Sequence, residues 1–434
     1  MMSEDLKKKT IMVVDNGLFI SFARMLAKGF GKTYYYAPWQ SSFPRTQQIL
    51  VGDGFDDIER VKFPLEKADE VDLWIFLDLY HADLQTYLES QGQRVWGARR
   101  GEELELYRWE FKQYLKRIGL PVQPMHHVLG FDALEKFLKT STKKFVKTSF
   151  VRGDFETFKH ETFELSKPRV DELRHTLGPT GANYEFIVED EIPNAVEIGY
   201  DGFTVDGQWP SHAMQAYEVK DCGMIGVALE ANKLAVPVKD VNTKLVPALK
   251  GYNYRGFLST EIRYTKDKKP YFIDPCCRLG TPSNELLQVL FDGWPEVIWH
   301  GSKGELVSPR VKAKYAVMAV VQSEWAVNDW QALHYPAALD EFVKLRFHTR
   351  INGKDYVAPQ PVGLPDLGGV VGSGDTLLSA IKQCKERASQ IKGYQVRCDL
   401  TSIDKALDSI REGEKLGISF GDGKLPTAEE VRRA

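Results

Sequence analysis

A chain of 434 residues is too long for one ordinary hydrophobic core, so two to four domains are expected. Its 57 basic and 60 acidic residues leave a formal net charge of −3, which argues against a polyanion-binding surface and against nucleic acid as a partner. No run approaches the roughly eighteen apolar residues of a membrane span, the charged start MMSEDLKKKT lacks a signal-peptide core, and five cysteines fit no disulfide framework. The expectation is a cytoplasmic protein with reduced thiols and no membrane partner, since vicinal Cys276 and Cys277 would close a strained ring if bonded.

The first hundred residues alternate strand and helix patterns. TIMVVDNG (10–17) reads as a buried strand ending in a turn and LFISFARMLAKGF (18–30) as a helix. TYYYAP (33–38) and VDLWIFLD (71–78) read as further strands, so a parallel sheet with helices on its faces is expected, closing near residue 98. GFGKT (29–33) imitates a phosphate-binding loop, but Leu26 stands where its first glycine belongs and a strand-like Tyr34-Tyr35-Tyr36 follows, so the motif is rejected.

In GEELELYRWEFKQYLKRIGLPVQP (101–124), Leu104, Tyr107, Phe111, Leu115 and Ile118 recur at helical spacing until Gly119 and Pro121. FDALEKFLKT (131–140) predicts a helix with Asp132 as its N-cap. KKFVKTSF (143–150) predicts a strand with Val146 and Thr148 opposed to Phe145, Lys147 and Ser149. From residue 182 strand patterns dominate, with hairpins at FTVDGQW (203–209) and YTKDKKPYF (264–272). KYAVMAVVQS (314–323) opens another strand-rich piece containing LGGVVGSGDTLLSAIKQCKERASQI (367–391), a turn feeding an amphipathic helix. The tail after Thr401 is charged and partly helical, and its end GDGKLPTAEEVRRA is expected to be mobile.

One stretch carries chemistry. PYFIDPCCRLGTP (270–282) ends a strand in Asp274, with Arg278 four residues on; Glu261, in LSTEIRY, precedes Asp274 by thirteen residues across the turn TKDKKP. A hairpin sets such positions side by side, and two adjacent carboxylates repel unless a cation sits between them. Mg2+ meets that need, because it takes one or two carboxylates together with phosphate oxygens, and Arg278 adds a positive group for phosphate or carboxylate. Two solvated acids on a surface hairpin are the alternative reading of the same pattern.

Carboxylate, hairpin, carboxylate-x-Asn-x-Arg is the metal-binding signature of the ATP-grasp superfamily, which this sequence resembles from about 100 to 300. Over most of its length it is similar to the phosphoribosylamine–glycine ligase family, including the segment LGGVVGSGDTLLSAIKQCKERASQIKGYQVRCDL. The fold implied is α/β and α+β multidomain: an ATP-grasp fold with an N-terminal parallel-sheet (pre-ATP-grasp) domain and a small C-terminal β-rich domain. Its expected parts are the N-terminal domain at 1–100, the small lobe at 101–180, and the large lobe with the metal site at 181–305. The C-terminal domain follows at 306–400 and a charged tail at 401–434.

The resemblance also implies roles. Arg108, Lys112 and Lys147 fall on the basic positions that reach nucleotide phosphates, Glu189 on the hinge acid that grips adenine, and Glu197 on an acid facing the reaction centre. Glu261 and Asp274 fall on the metal ligands, and Arg278 would orient an acyl phosphate. The sequence departs from the family in three places. Cys276 replaces the Asn, and a thiol is a poor ligand for a hard ion. The phosphate-covering loop SFVRGDFET (149–157) has one glycine, with Arg152 supplying a guanidinium instead. The ribosyl-phosphate loop is reduced to the Asn16-Gly17 turn within VVDNGLFISFA, and GTPSNE (280–285) replaces Gly-Asp-Pro-Glu. The implied activity is an ATP- and Mg2+- (or Mn2+-) dependent carboxylate–amine ligase working through an acyl phosphate on a small-molecule carboxylate and an amine, an amino acid among them. The alternative is a nucleotide-binding pseudoenzyme that acts as a sensor or assembly part.

Overall fold

The computed structural model describes residues 5–37, 50–149, 157–220, 222–359, 365–421 and 423–434. The chain divides into two units: Met1–Gly101 with Glu197–Thr260 and Cys276–Ala434, and Glu102–Val196 with Glu261–Pro275.

In the first unit the apolar run Thr10–Val14 is the central strand of a five-stranded sheet, ordered Glu59–Arg60, Lys32–Tyr36, Thr10–Val14, Leu73–Phe76, Val95–Trp96. Every pairing is parallel, so near-continuous apolar runs are buried on both faces, as parallel sheets require. GFGKT leads into the strand Lys32–Tyr36 and not into a helix. The strand order reverses between Thr10–Val14 and Leu73–Phe76, and the residues following those two strands are Asp15-Asn16 and Leu77-Asp78.

A larger sheet of the same unit runs in the order Val343–Leu345, Asp366–Gly374, Tyr315–Gln322, Gly223–Glu230, His212–Val219, Ala195–Val205, then Arg255–Thr265 and Pro270–Cys276, whose hairpin end belongs to the second unit. The helix Ser283–Leu290 is buried along its whole length. Phe22, Trp96, Phe203, Phe257 and Trp294 form an edge-on aromatic core, with Phe22 and Phe257 ring centroids 5.2 Å apart. The helix Leu377–Ala388 packs on Asp366–Gly374 at Gly372, where a Cβ would sit 2.1 Å from the Ala380 carbonyl and 2.3 Å from the Cys384 nitrogen. The chain's end, expected to be loose, carries the helix Ala428–Arg433, fixed by a Thr427–Glu430 capping box, with Val431 buried and its carbonyl accepting from Lys385.

The second unit is built on a four-stranded antiparallel sheet ordered Met125–Leu129, Glu185–Asp190, Lys144–Thr148, Thr157–His160. The helices Phe131–Leu138 and Phe163–Leu177 supply Phe131, Leu134, Leu138, Val170 and Leu173 to a core that takes Val146, Phe186 and Val188 from the sheet. Because side chains alternate along a strand, Lys147 and Glu189 project from the opposite face to Val146 and Val188.

Two expectations are corrected here. The single helix expected from the pattern Leu104 to Ile118 is two, Glu103–Leu106 and Arg108–Arg117, broken at Tyr107 (φ −98°, ψ 75°). The break turns Tyr107 outward and buries Arg108, Phe111, Lys112 and Leu115, a stripe displaced from the apolar one. Ion pairs for the two cations outweigh burial of a tyrosine. Asp132 is not the N-cap of its helix. Gly130, at φ 77°, takes that place because a Cβ there would lie 2.2 Å from the Ala182 carbonyl, and Asp132 pairs with Arg174 at 2.9 Å. Among the described residues no helix is long and apolar enough to cross a membrane.

Candidate active site

The second unit gathers five of the implicated side chains into one network. Arg108 and Lys112 stand one turn apart on the helix Arg108–Arg117, so they share a face. Lys147 comes from the strand Lys144–Thr148 and Glu189 from its neighbour Glu185–Asp190. Asp274 comes from the hairpin strand Pro270–Cys276. The Asp274 carboxylate accepts from Arg108 Nη1 at 2.5 Å through one oxygen and from Lys147 Nζ at 2.6 Å through the other. Glu189 lies 3.2 Å from both Lys112 Nζ and Lys147 Nζ, and Gln123 Nε2 donates to it at 2.8 Å. Lys112 also donates to the carbonyls of Phe272 (3.1 Å) and Ile273 (2.6 Å), which ties the helix to the hairpin. Phe111 packs edge-on against Phe272 at 5.3 Å in support.

Arg108, Lys112, Lys147 and Glu189 are each at most 4% exposed. Charges so deeply buried persist only when paired and hydrogen-bonded, and their protonation shows how the pairing works. Burial pushes the Asp274 carboxyl upward, but Arg108, Lys147 and Lys112 override it and hold Asp274 well below the usual carboxylate range. Burial likewise opposes ionisation of Glu189, and Lys112 with Lys147 brings it below the ordinary value. Lys147 loses to burial but gains more from Asp274, Glu189 and Glu261, so its ammonium is held above the usual lysine range. Lys112 goes the other way: burial, reinforced by Lys147, lowers it despite Glu189. Glu261 therefore acts on the network electrostatically through Lys147.

Two further implicated residues, Glu197 and Arg278, belong to the first unit. Arg152, with all of 150–156, is outside the described residues. Glu197 is half-buried on Ala195–Val205 in the first unit. Arg278, also in that unit, lies 3.5 Å from Asp78, which accepts from Asn16 Nδ2 at 2.8 Å. The adjacent Asp15 accepts from Tyr35 Oη (2.6 Å) and the Phe19 amide (2.9 Å), and burial raises its carboxyl to about 6. These groups sit at the C-terminal ends of the parallel strands where the order reverses, the place at which open α/β sheets bind ligands. Cys276 turns its thiol to the Arg278 carbonyl at 3.7 Å.

Sequence reading missed three partners. Gln123 and Asp78 have no pattern of their own; each acquires a role only from the residue it meets. Asp201 is buried, accepts from Ser259 and Ser283, and is pushed up to about 6 by desolvation. Its place in the alternating run AVEIGYDGF was the one available signal, an acid inside a buried strand.

No protein-family model matches this chain, and no curated protein matches it by sequence. Solved structures do. Phosphoribosylamine–glycine ligase from Thermotoga maritima superimposes with a TM-score of 0.67 at 14% identity, over 90% of this chain and 98% of that one. The biotin carboxylase domain of Hydrogenobacter thermophilus 2-oxoglutarate carboxylase, in complex with MgADP, ADP and bicarbonate, gives 0.66 at 13% identity over 96% and 99%. An ADP complex of N5-carboxyaminoimidazole ribonucleotide synthetase gives 0.59 at 16% identity over 94% and 100%. These neighbours are ATP-grasp enzymes, and the multidomain fold expected from the hairpin carboxylates and strand lysine is the one this chain has: an ATP-grasp fold resembling that of phosphoribosylamine–glycine ligase.

Proposed function

We propose that the protein is an ATP- and Mg2+-dependent ligase joining a small-molecule carboxylate to an amine through an acyl phosphate. One observation carries the reading: Arg108, Lys112 and Lys147 interlock with Asp274 and Glu189 inside a single unit, although they come from four separate elements. Buried cations already held in place need no reorganisation when a phosphate arrives, which is the basis of electrostatic catalysis of phosphoryl transfer.

The donor set fits a hard divalent ion. Asp274 and Glu261 offer carboxylate oxygens, and Lys147 senses both. These two residues would hold Mg2+, or Mn2+, together with phosphate oxygens. When bound, the ion would supply charge neutralisation at the terminal phosphates. Lys147, Arg108 and Lys112, held in place by Asp274 and Glu189, would present their remaining N–H donors to phosphate oxygens and hold them in line. A substrate carboxylate oxygen bonds to the γ-phosphorus as the bond to the bridging oxygen breaks and ADP departs. The amine then attacks the acyl carbon, phosphate leaves, and the nitrogen loses a proton. By resemblance, Arg278 is the residue assigned to the acyl phosphate and Glu197 the acid assigned to the reaction. Glu189 belongs to the nucleotide site, where its ion pairs with Lys112 and Lys147 support a role towards the phosphate-binding lysines.

For the acceptor, the reversal point of the parallel sheet carries Asp78 against Arg278, with buried Asp15 close enough to Asp78 to feel its charge. Two acids to one guanidinium, together with the reduced Asn16-Gly17 loop, support an amine-bearing acceptor such as an amino acid over a ribosyl phosphate. The test is ADP release from MgATP across a panel of carboxylates and amines, with Asp274→Asn as control. Amine-dependent turnover lost in the variant supports the ligase; turnover retained removes Asp274 from the site. The second reading, a nucleotide-binding sensor, draws on Cys276, whose thiol turns to its own loop. ATP binding without turnover on any pair would favour it.

A further inference from the structure

Lys344 lies on the strand Val343–Leu345 of the first unit and is only 6% exposed. Its ammonium carries three donors. One reaches Gln288 Oε1 at 2.9 Å. That amide is fixed in orientation, because its Nε2 donates to Ser21 Oγ at 3.1 Å and Asn284 Oδ1 at 3.0 Å, so the oxygen faces the lysine. Among the described residues no carboxylate pairs with Lys344. Glu341 and Glu285 favour its charge only from beyond ion-pair distance, so the one direct contact, a neutral amide, does not offset the cost of burial. Desolvation accordingly pushes Lys344 down to about 8, still mostly charged at neutral pH.

Lys344 and Gln288 line a cavity of about 80 Å³, together with Ser21, Arg24 and Lys28 from the first helix segment. That is several times the roughly 10–15 Å³ a single water needs and far too small for a nucleotide. The acids on its wall are already matched. Asp57 pairs with Arg24 at 3.0 Å, Asp340 with Arg24 (3.4 Å) and Arg350 (3.0 Å), and Glu341 with Lys312 (2.7 Å). What remains over is Lys344 and the exposed Lys28, for which no ion pair exists among the described residues.

We propose that this cavity is a second ligand site, taking a small oxyanion such as inorganic phosphate or a short carboxylate between the Lys344 and Lys28 ammonium groups, with the Ser21 hydroxyl as a further donor. The anion supplies the negative charge that Lys344 lacks. The site lies wholly within the first unit and is independent of the ligase reading, which concerns the network in the second.

The test is calorimetric titration of the full chain with sodium phosphate and, separately, sodium acetate, against matched sodium chloride. The wild type should bind at least one of them saturably at one site, and which one binds identifies phosphate or carboxylate as the ligand chemistry. A charge-assisted contact removed by Lys344→Met should weaken binding about tenfold or more, and Lys28→Ala should weaken it severalfold. Lys147→Met, in the other unit, should leave it unchanged. Absence of saturable binding by either anion overturns the proposal, and so does binding that survives both substitutions or is lost in Lys147→Met. Should Lys344→Met fail to fold, Lys28→Ala decides alone: it is exposed, and unaltered affinity in that variant sinks the site.

Discussion

Lys147 touches both acids of the network, 2.6 Å from Asp274 and 3.2 Å from Glu189. Removing it strands two carboxylates with weakened compensation, so Lys147→Met should cost about 3–5 kcal/mol in urea unfolding. Adding Glu189→Gln should return part of that loss, because the second change removes a charge the first left unpaired. Strictly additive losses would show that the pair is not coupled. The pH dependence follows from the same ions. Glu189 and Asp274 titrate lower folded than unfolded, so their stabilisation is complete above the ordinary carboxyl range and is lost as pH falls through the folded values. Lys147 titrates higher folded than unfolded, so its share disappears only in strong alkali. The stability gap between wild type and Glu189→Gln should therefore be widest near pH 7 and shrink below about pH 4. Asp201 has the opposite sign. Its folded value, about 6, lies above the unfolded one, so ionisation at neutral pH costs stability. Asp201→Asn should raise the melting temperature at pH 7 and confer little near pH 4; an unchanged or lowered value at pH 7 would contradict the assignment.

At the scale of elements, the regular pieces were readable because local pattern and final burial agree. Thr10–Val14 is apolar throughout and buried on both faces, and Lys147 alternates with Val146 as strand geometry demands. The helix after residue 101 was not readable in detail. Its apolar stripe through Tyr107 competes with a stripe through Arg108 and Lys112 that gains nothing from hydrophobicity, only from acids far along the chain. Periodicity scores the first and is blind to the second. Asp132 failed for a similar reason: cap propensity favours the aspartate, but the close approach of the Ala182 carbonyl demands glycine one turn-entry earlier, at residue 130. The same logic gives a test at Gly372. A methyl there collides with backbone of the helix Leu377–Ala388 and no flexible side chain can yield, so Gly372→Ala should cost several kcal/mol. A loss within about 0.5 kcal/mol in chemical denaturation would mean that helix and strand are not packed as described.

For the molecule as a whole, the ATP-grasp fold was legible from a few residues: a strand lysine, two acids about a hairpin, and an arginine beyond them. What the sequence did not reveal is that residues 261–275 return to the unit begun at Glu102. No local pattern encodes such a closure, yet it is what brings Asp274 to Arg108 and Lys147. The substrate was the least legible part, since the Asn16-Gly17 turn and GTPSNE replace the strings that would have named it, and the surrounding Asp15, Asp78 and Arg278 speak only to charge. The claim on which the rest stands is that the buried cations hold the phosphates of magnesium-bound ATP. Calorimetric titration of MgATP into wild type and Lys147→Met tests it most directly. The account predicts saturable binding to the wild type that weakens about tenfold to a hundredfold in the variant; equal affinity in a folded variant, or no binding to the wild type, would contradict it.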